Sequence, residues 1–442
     1  MSLRSLLAPL AVIGILFVIW YSEFVTTPPP QHGPVEITYW EKWTSFEGDA
    51  IRAVVDEFNR TQSHIHVNLL TISNIENKTL LAVAGGNPPD VAGLYGPNVA
   101  QYAEARAIEP LDDYCAKNGI TAEKYIPAYW NIGFYKGHVF ALPTAPASTA
   151  LHYNKALFRE AGLDPEKPPQ TIEEMDAMSE KITKRDGNKL KVSGFMPAEP
   201  GWWNFDWGYL FGGQLWNGKD KITANSEENI RAFEWIQSYS KKYGASELQS
   251  FRSGFGHFSS PQNAFLSSKV AMELQGVWMY NFIDKYSPKL EWAAVPFPHP
   301  ANSSLTDTTF VDEDVIVIPR GAKHPKEAFE FMKFVESQKE MELLCMGQRK
   351  HTPLMEVSET FYKNHPNPFI RLFAELPRKG HTFFPPQIGI WPEYQAEMNN
   401  AFDEIALIQK TPREALNAVQ NRMQPKLDEY LLRLRLRAEA GK

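Results

Sequence analysis

The sequence predicts an α/β protein that divides into two lobes. Its 442 residues exceed what one ordinary hydrophobic core holds, which suggests two lobes or domains. Apolar residues make up 43% of the chain and charged residues 22%, a balance typical of a folded globular protein. Strand patterns alternate with helix patterns near the N-terminus, and this order predicts right-handed crossovers within a mostly parallel sheet flanked by helices.

Five elements carry the parallel-sheet prediction. Apolar residues alternate in VEITYW (35–40) and in HIHVNLL (64–70), so both segments are predicted strands. Between them, residues 47–62 carry apolar side chains at the spacing of an amphipathic helix. A second helical stretch over residues 80–84 stops at a Gly-Gly pair, where a left-handed C-cap is easy. A third short apolar strand is predicted over residues 88–96.

Aromatic and polar residues follow the first and third predicted strands. In parallel sheets, ligands bind beyond the carboxyl ends of the strands, so these residues share one rim. A single Trp or Tyr is more often a core residue, but two such loops favour a binding site. The candidates at this rim are Trp40, Glu41, Lys42 and Trp43 after the first strand, and Tyr95 and Asn98 after the third.

The first 34 residues are predicted to be a signal peptide or an N-terminal membrane anchor with a Pro-rich spacer. Arg4 precedes an apolar run over residues 6–21, and no A-x-A cleavage site follows it. We therefore favour an uncleaved anchor, with the folded part in the periplasm or another extracytoplasmic space. Residues 28–30 are three prolines, which make a stiff extended spacer.

Composition also argues against several kinds of site. The net charge of −7 argues against a nucleic-acid surface, which would normally be basic. His64 and His66 share a strand face without a third ligand, so no metal site and no cofactor are expected. Cys115 and Cys345 could be free thiols or one disulfide, and the sequence does not decide between them.

The segment AEPGWWNFDWGYLFGGQLWNG, residues 198–218, holds four of the twelve tryptophans of the chain. Its flat aromatic rings lie beside acidic and amide side chains, a mixture that suits a ligand both apolar and rich in hydroxyls. A sugar ring has this character, because its C–H face stacks on aromatic rings while its hydroxyls need hydrogen-bond partners. Charged partners make the stronger of these hydrogen bonds.

Several motifs in order give the chain a family resemblance. They include Pro89-Asp90-Val91, Ala141-Leu142-Pro143 and Tyr153-Asn154-Lys155, followed by FLSSKVAMELQGVWMYNF and DVIVIPRGAKHPKEAFEFMKFV. With these motifs the chain resembles the extracellular solute-binding proteins of carbohydrate ABC importers, the relatives of the maltose-binding protein. The resemblance runs from about residue 35 to about residue 430. It implies the two-lobed periplasmic-binding-protein fold of type II, with a ligand cleft between the lobes.

The resemblance also implies where the lobes begin and end. Residues 35–145 and 310–350 would form lobe one, and residues 146–309 and 351–442 would form lobe two. The first crossing between the lobes would lie near Pro143, Thr144 and Pro146. Asp90 would lie at the end of the sheet away from the ligand, as a structural cap.

Further binding residues are carried over from the family. They are Glu199, Trp202 and Trp203 on the lobe-two wall, Gln275 and Trp278, Trp391 and Tyr394, and Ser148 beside the crossing. Trp207 and Trp216 are expected to pack beneath this wall. Asp312 and Glu313 depart from the family, since many relatives have small residues there. They could bind hydroxyls, an amine or a cation, or they could form a solvated turn.

The expected function is capture of a sugar or oligosaccharide by hinge closure, and its delivery to the permease subunits of an ABC transporter. We expect a monomer that is tethered to the membrane through its N-terminal segment and is not an enzyme. One alternative is the same fold binding a polyamine, a peptide or a metal chelate. Another is a secreted glycoside hydrolase, although no acidic pair sits in a repeated eight-strand pattern and no hydrolase motif occurs.

Overall fold

The computed structural model describes residues 33–257 and 259–440. The predicted signal peptide or anchor lies almost wholly outside these residues. No helix in the described part of the chain combines the length and the apolar character that crossing a membrane requires.

Strands and helices alternate over the first part of the described chain, and helices predominate towards its C-terminal end. The strands are β1 (Val35–Glu41), β2 (Ile65–Thr71), β3 (Val91–Tyr95), β4 (Phe134–Tyr135), β5 (His138–Val139), β6 (Leu142–Asn154), β7 (Lys184–Asp186), β8 (Lys189–Phe195), β9 (Val270–Gly276), β10 (Trp292–Val295), β11 (Thr309–Val317) and β12 (Thr382–Phe383). The helices are α1 (Ser45–Thr61), α2 (Ile75–Ala84), α3 (Val99–Glu104), α4 (Asp112–Asn118), α5 (Pro127–Gly133), α6 (Lys155–Glu160), α7 (Ile172–Ile182), α8 (Glu227–Tyr243), α9 (Ala245–Arg252), α10 (Met279–Tyr286), α11 (Pro325–Val335), α12 (Gln338–Gln348), α13 (Glu359–Asn364), α14 (Ile370–Lys379), α15 (Trp391–Ala406) and α16 (Pro412–Ala440).

The main sheet has the strand order β2-β1-β3-β11-β6-β9-β8-β7. Strand β1 pairs in parallel with both β2 and β3, so the parallel start predicted from the alternating strands and helices is confirmed. On the other side, β8 and β9 are also parallel. The strands between these two parallel groups, β11 and β6, pair antiparallel with each other and with their outer neighbours.

Strand β6 joins the two halves of the sheet. Its first part, from Leu142 to Ser148, pairs with β11, and its second part, from Thr149 to Tyr153, pairs with β9. The predicted first crossing therefore falls within one continuous strand. Each half has its own apolar core: Ile51, Val54, Val55 and Phe58 of α1 are buried on one side, as their helical spacing indicates. Trp207, 1% exposed, packs in the core of the other side.

Residues at the far end of the first half have structural roles. Asp90 accepts hydrogen bonds from the backbone N–H groups of Thr38 and His324, each at 2.9 Å, and so fastens β1 to the segment before α11. Cys115 and Cys345 are both buried free thiols in this half. The disulfide that the sequence left open is therefore not formed.

Candidate ligand-binding cleft

A cavity of about 490 Å³ opens beside β6 and β11, the central pair of strands in the main sheet. It lies beyond the carboxyl ends of β1 and β3, the rim at which a parallel sheet binds ligands. The predicted residues that line it are Trp43, Tyr95, Trp202, Trp278, Asp312 and Glu313. Side chains from both halves of the sheet and from the strand that joins them therefore meet around one space.

An aromatic wall forms the side of the cavity nearest to β9. The ring of Trp278 lies 5.4 Å from that of Trp202 and 6.3 Å from that of Trp203, centre to centre. Trp203 in turn packs on Phe310, at 5.5 Å, and supports Trp278 from behind. Gly276 makes room for this arrangement, because a Cβ atom there would lie 2.4 Å from the Trp278 ring.

Behind the opposite wall, Lys42, which does not itself line the cavity, is held between two rings that do. The Lys42 ammonium lies 4.6 Å from the centre of the Tyr95 ring and 5.0 Å from that of Trp43. It also forms ion pairs with Asp314, at 2.9 Å, and with Glu41, at 3.3 Å. The Trp43 indole N–H donates a hydrogen bond to Asp314 at 3.3 Å. The Asp314 carboxylate therefore holds both Lys42 and Trp43 in place.

Four charged lining residues were missed from the sequence: Asp314, Glu47, Lys285 and Lys350. Lys350 is only 6% exposed and lies 3.1 Å from Glu47 and 3.7 Å from Asp314. Asp314 directly follows Asp312 and Glu313, which were singled out from the sequence, and that position could have indicated it. Nothing in the local sequence marks Lys350, because its partners lie about three hundred residues earlier in the chain or on another strand.

Asp312 and Glu313 lie within β11, which excludes the alternative of a solvated turn. Burial first, and then the charge of Asp314, raises the pKa of Asp312 to about 6. The same two causes raise the pKa of Glu313 well above its usual range. Both carboxyl oxygens of Glu313 are buried without a hydrogen-bond partner among the described residues.

Other predicted site residues are fastened to the protein and do not line the cavity. Glu41 accepts a hydrogen bond from the Tyr39 hydroxyl at 2.6 Å, and Ser148 donates one to the Phe373 carbonyl at 2.7 Å. Gln275 is fully buried beside Glu273, at 3.4 Å. Each of these side chains already has a protein partner that fixes it.

The remaining predicted residues lie further from the cavity or behind its walls. Trp391 and Tyr394, 2% and 0% exposed, belong to the core of the second half, where the Tyr394 hydroxyl donates to the Leu215 carbonyl. Glu199 forms an ion pair with Arg252 at 2.5 Å. Trp40 and Asn98 are half-buried near the ends of β1 and β3, outside the cavity lining.

The family described as Bacterial extracellular solute-binding protein matches residues 53–367, more than half of the chain. The chain belongs to this family. The resemblance to extracellular solute-binding proteins is thereby confirmed. The family consists of binding proteins, which agrees with the expectation of a non-enzymatic role without excluding catalysis.

The curated relatives are named for two kinds of ligand. The sn-glycerol-3-phosphate-binding periplasmic protein UgpB of Pectobacterium atrosepticum is 21% identical over 411 residues, which cover 88% of this chain and 90% of that protein. The maltotriose-binding protein of Pyrococcus abyssi is 20% identical over 273 residues, or 62% of this chain and 55% of that protein. The named ligands of the relatives thus include a phosphate ester and an uncharged oligosaccharide.

Solved structures confirm the two-lobed fold. The structure of CpMnBP1 with mannobiose bound superposes with a TM-score of 0.77 at 29% identity, covering 88% of this chain and 99% of that one. An ABC substrate-binding protein from Listeria monocytogenes in complex with cycloalternan gives a TM-score of 0.75 at 20% identity, covering 89% and 99%. The predicted α/β periplasmic-binding-protein fold, with a cleft between lobes, is therefore confirmed.

Proposed function

We propose that this protein is the extracytoplasmic solute-binding component of an ABC importer, and that its cleft binds a sugar or oligosaccharide for delivery to the permease. One observation carries the proposal: Trp43 from one half and Trp202 and Trp278 from the other converge on a single cavity beside acidic side chains. This combination suits a sugar, whose C–H face stacks on indoles while its hydroxyls bond to carboxylates.

The dimensions of the cavity support a short ligand. Its volume of about 490 Å³ lies within the range of small-molecule sites, roughly 300 to 1,000 Å³. A disaccharide is the first probe to try, since a relative at 29% identity has mannobiose bound.

We further propose that capture proceeds by hinge closure about β6 and β11. Lobe one would comprise residues 35–145 and 310–350, and lobe two residues 146–309 and 351–442. A ligand that touches both walls of the cleft favours the closed form, because its affinity for that form is greater.

Calorimetric titration with mannobiose, maltose and longer oligosaccharides tests the proposal. In a sugar-binding protein, Trp278→Ala and Trp202→Ala should each weaken binding at least tenfold, or ~1.4 kcal/mol, because a stacking surface is lost. Trp216→Ala is the matched control, since this half-buried indole borders a different cavity and its loss should leave the affinity unchanged. Unchanged sugar affinity in both cleft variants would remove the site assignment.

An amine-bearing solute is the second candidate, because carboxylates outnumber ammonium groups in the cleft lining. Glu47, Asp312, Glu313 and Asp314 line it, against Lys285 and Lys350. A polyamine would bind to such a surface through charge-assisted hydrogen bonds. Spermidine and glucosamine belong in the same titration series, and tighter binding of spermidine than of any sugar would favour this candidate.

Incubation with oligosaccharides, followed by analysis for cleavage products, tests the hydrolase alternative.

We also propose that the protein is a monomer tethered to the outer face of the cytoplasmic membrane by residues 1–34. The apolar run at residues 6–21 supports this location, and so does membership of an extracellular family. Fractionation of cells that express the full chain tests the tether. Recovery of a shortened chain in the soluble extracytoplasmic fraction would instead indicate cleavage. Light scattering of the purified protein measures its oligomeric state.

A further inference from the structure

Both lysines of the lobe-one wall already have carboxylate partners. Lys42, 7% exposed, lies 2.9 Å from Asp314 and 3.3 Å from Glu41. Lys350, 6% exposed, lies 3.1 Å from Glu47 and 3.7 Å from Asp314. The two ammonium groups thus share Asp314, and each has a second carboxylate of its own. A buried cation needs such partners, because burial removes the water that would otherwise solvate it.

The charges of this network are maintained in the folded protein. Burial alone would lower the pKa of Lys42, but Asp314 and Glu41 outweigh it and hold that pKa above its usual value. Burial alone would raise the pKa of Asp314, but Lys42 and Lys350 outweigh it and hold that pKa below its usual value. Asp314, paired with both lysines, is therefore an anion at neutral pH, and it is 14% exposed on the cavity wall.

The ion pairs of Lys42 and Lys350 with Asp314 affect which ligands can bind at this wall, because they determine its free charge. A phosphate group is bound by cationic donors that are free to turn towards it. Here the two buried cations are engaged, and a phosphate beside them would also meet Asp314 and its neighbour Asp312. Like charges at close range repel, so this wall of the cavity disfavours anions. Sugar hydroxyls carry no such charge and can donate hydrogen bonds to the same carboxylates.

We propose that Asp314 is the specificity-determining residue of the cleft: it engages Lys42 and Lys350 as an internal counter-anion and so selects uncharged polyols over phosphate esters. This inference rests on the proposed function in taking the cavity as the ligand site. It separates this chain from its relatives that are named for sn-glycerol 3-phosphate, although all of them share the fold.

The test is the isosteric variant Asp314→Asn, with Asp312→Asn as the matched control. Both variants remove one negative charge from the same strand, but among the described residues Asp312 forms an ion pair with neither lysine. The probes are mannobiose, sn-glycerol 3-phosphate and inorganic phosphate, measured by calorimetry and by thermal shift. We expect Asp314→Asn to bind the two phosphate probes at least tenfold more tightly than the wild type does, and Asp312→Asn to gain less than threefold.

Glu47→Gln is a second variant that tests the same inference if Asp314→Asn does not fold. It removes the other partner of Lys350 at a half-buried position in the first turn of α1, and should give a smaller gain for inorganic phosphate. Equal gains in Asp314→Asn and Asp312→Asn would overturn the inference, since net charge alone would then explain them. Wild-type affinity for sn-glycerol 3-phosphate equal to that for mannobiose would also overturn it.

The inorganic phosphate probe separates this inference from the proposed function. If the wild type binds no sugar and Asp314→Asn still gains phosphate binding, the sugar assignment fails while the role of Asp314 stands. If the wild type binds mannobiose and neither Asp314→Asn nor Glu47→Gln gains phosphate binding, the sugar assignment stands and the role of Asp314 fails.

Discussion

Glu336 is a carboxyl group buried at the end of α11, with one hydrogen bond from the Tyr125 hydroxyl at 2.8 Å. Its second oxygen has no partner among the described residues. Burial raises the pKa of Glu336 from its ordinary 4.5 to about 8. The native state therefore retains a proton that the unfolded chain releases. This contribution to stability is fully present below about pH 4.5 and is lost as the pH rises towards about 8.

Glu336→Gln should remove this pH dependence, because the amide still accepts the Tyr125 bond and does not titrate. Between pH 5 and pH 8.5, we expect the wild type to lose more than about 1 kcal/mol of unfolding free energy relative to the variant. Urea unfolding at several pH values measures the difference. Glu234→Gln, at an exposed position on α8, is the control and should follow the wild type. A constant difference between wild type and Glu336→Gln across this range would contradict the prediction.

At the scale of elements, β6 and β11 are tied together by two threonine side chains. The Thr149 backbone N–H donates to the Thr309 hydroxyl oxygen at 2.9 Å, and that hydroxyl donates to the Thr149 carbonyl at 2.9 Å. The Phe310 N–H donates to the Thr149 hydroxyl oxygen at 3.0 Å. These bonds continue the connection between the two strands where their regular pairing ends, at Ser148 and Val311.

Thr309→Val should lower the unfolding free energy by about 1–3 kcal/mol, because it leaves the buried Thr149 N–H without an acceptor. The neighbouring Thr308→Val is a matched control with the opposite expectation. Thr308 is 3% exposed and its hydroxyl has no partner among the described residues, so valine there should be neutral or stabilising. Denaturant midpoints measure both changes. Equal destabilisation by the two substitutions would indicate that packing, not the hydrogen bond, dominates.

Elements with clear local periodicity were predictable from the sequence. The alternation in residues 35–40 and 64–70 predicted β1 and β2, and the apolar spacing in residues 47–62 predicted α1. The interior of β6 gave no such pattern, because every one of its residues is buried. A strand buried on both faces has no alternation for a local pattern to reveal.

For the whole molecule, hinge closure predicts a change of shape on binding. Saturation with a sugar ligand should reduce the radius of gyration of the wild type, because a ligand that bridges Trp43 and Trp278 draws the lobes together. Small-angle X-ray scattering with and without sugar measures this change. Trp278→Ala, at a sugar concentration that saturates only the wild type, should show a smaller reduction. An unchanged radius in the saturated wild type would argue against closure.

Contacts across the whole molecule also explain which site residues were predictable. Trp43 lies just after β1 and Tyr95 is the last residue of β3, so strand prediction alone brought them to the edge of the sheet where the cavity lies. Trp391 and Tyr394 have the same aromatic character but lie in the core of the second half. Residue type does not distinguish these two outcomes, because an indole suits a core as well as a sugar.

The sequence by itself determined the parallel start of the sheet, the family, and the presence of aromatic and acidic residues in the lining of the candidate cleft. Periodicity and motif order act over short stretches of chain, and both are readable without coordinates. Only the tertiary structure decided that Lys42 and Lys350 share Asp314, and that Trp203 supports Trp278. The physical reason is that ion pairing and burial depend on distances between residues far apart in sequence, and those distances exist only once the chain has folded.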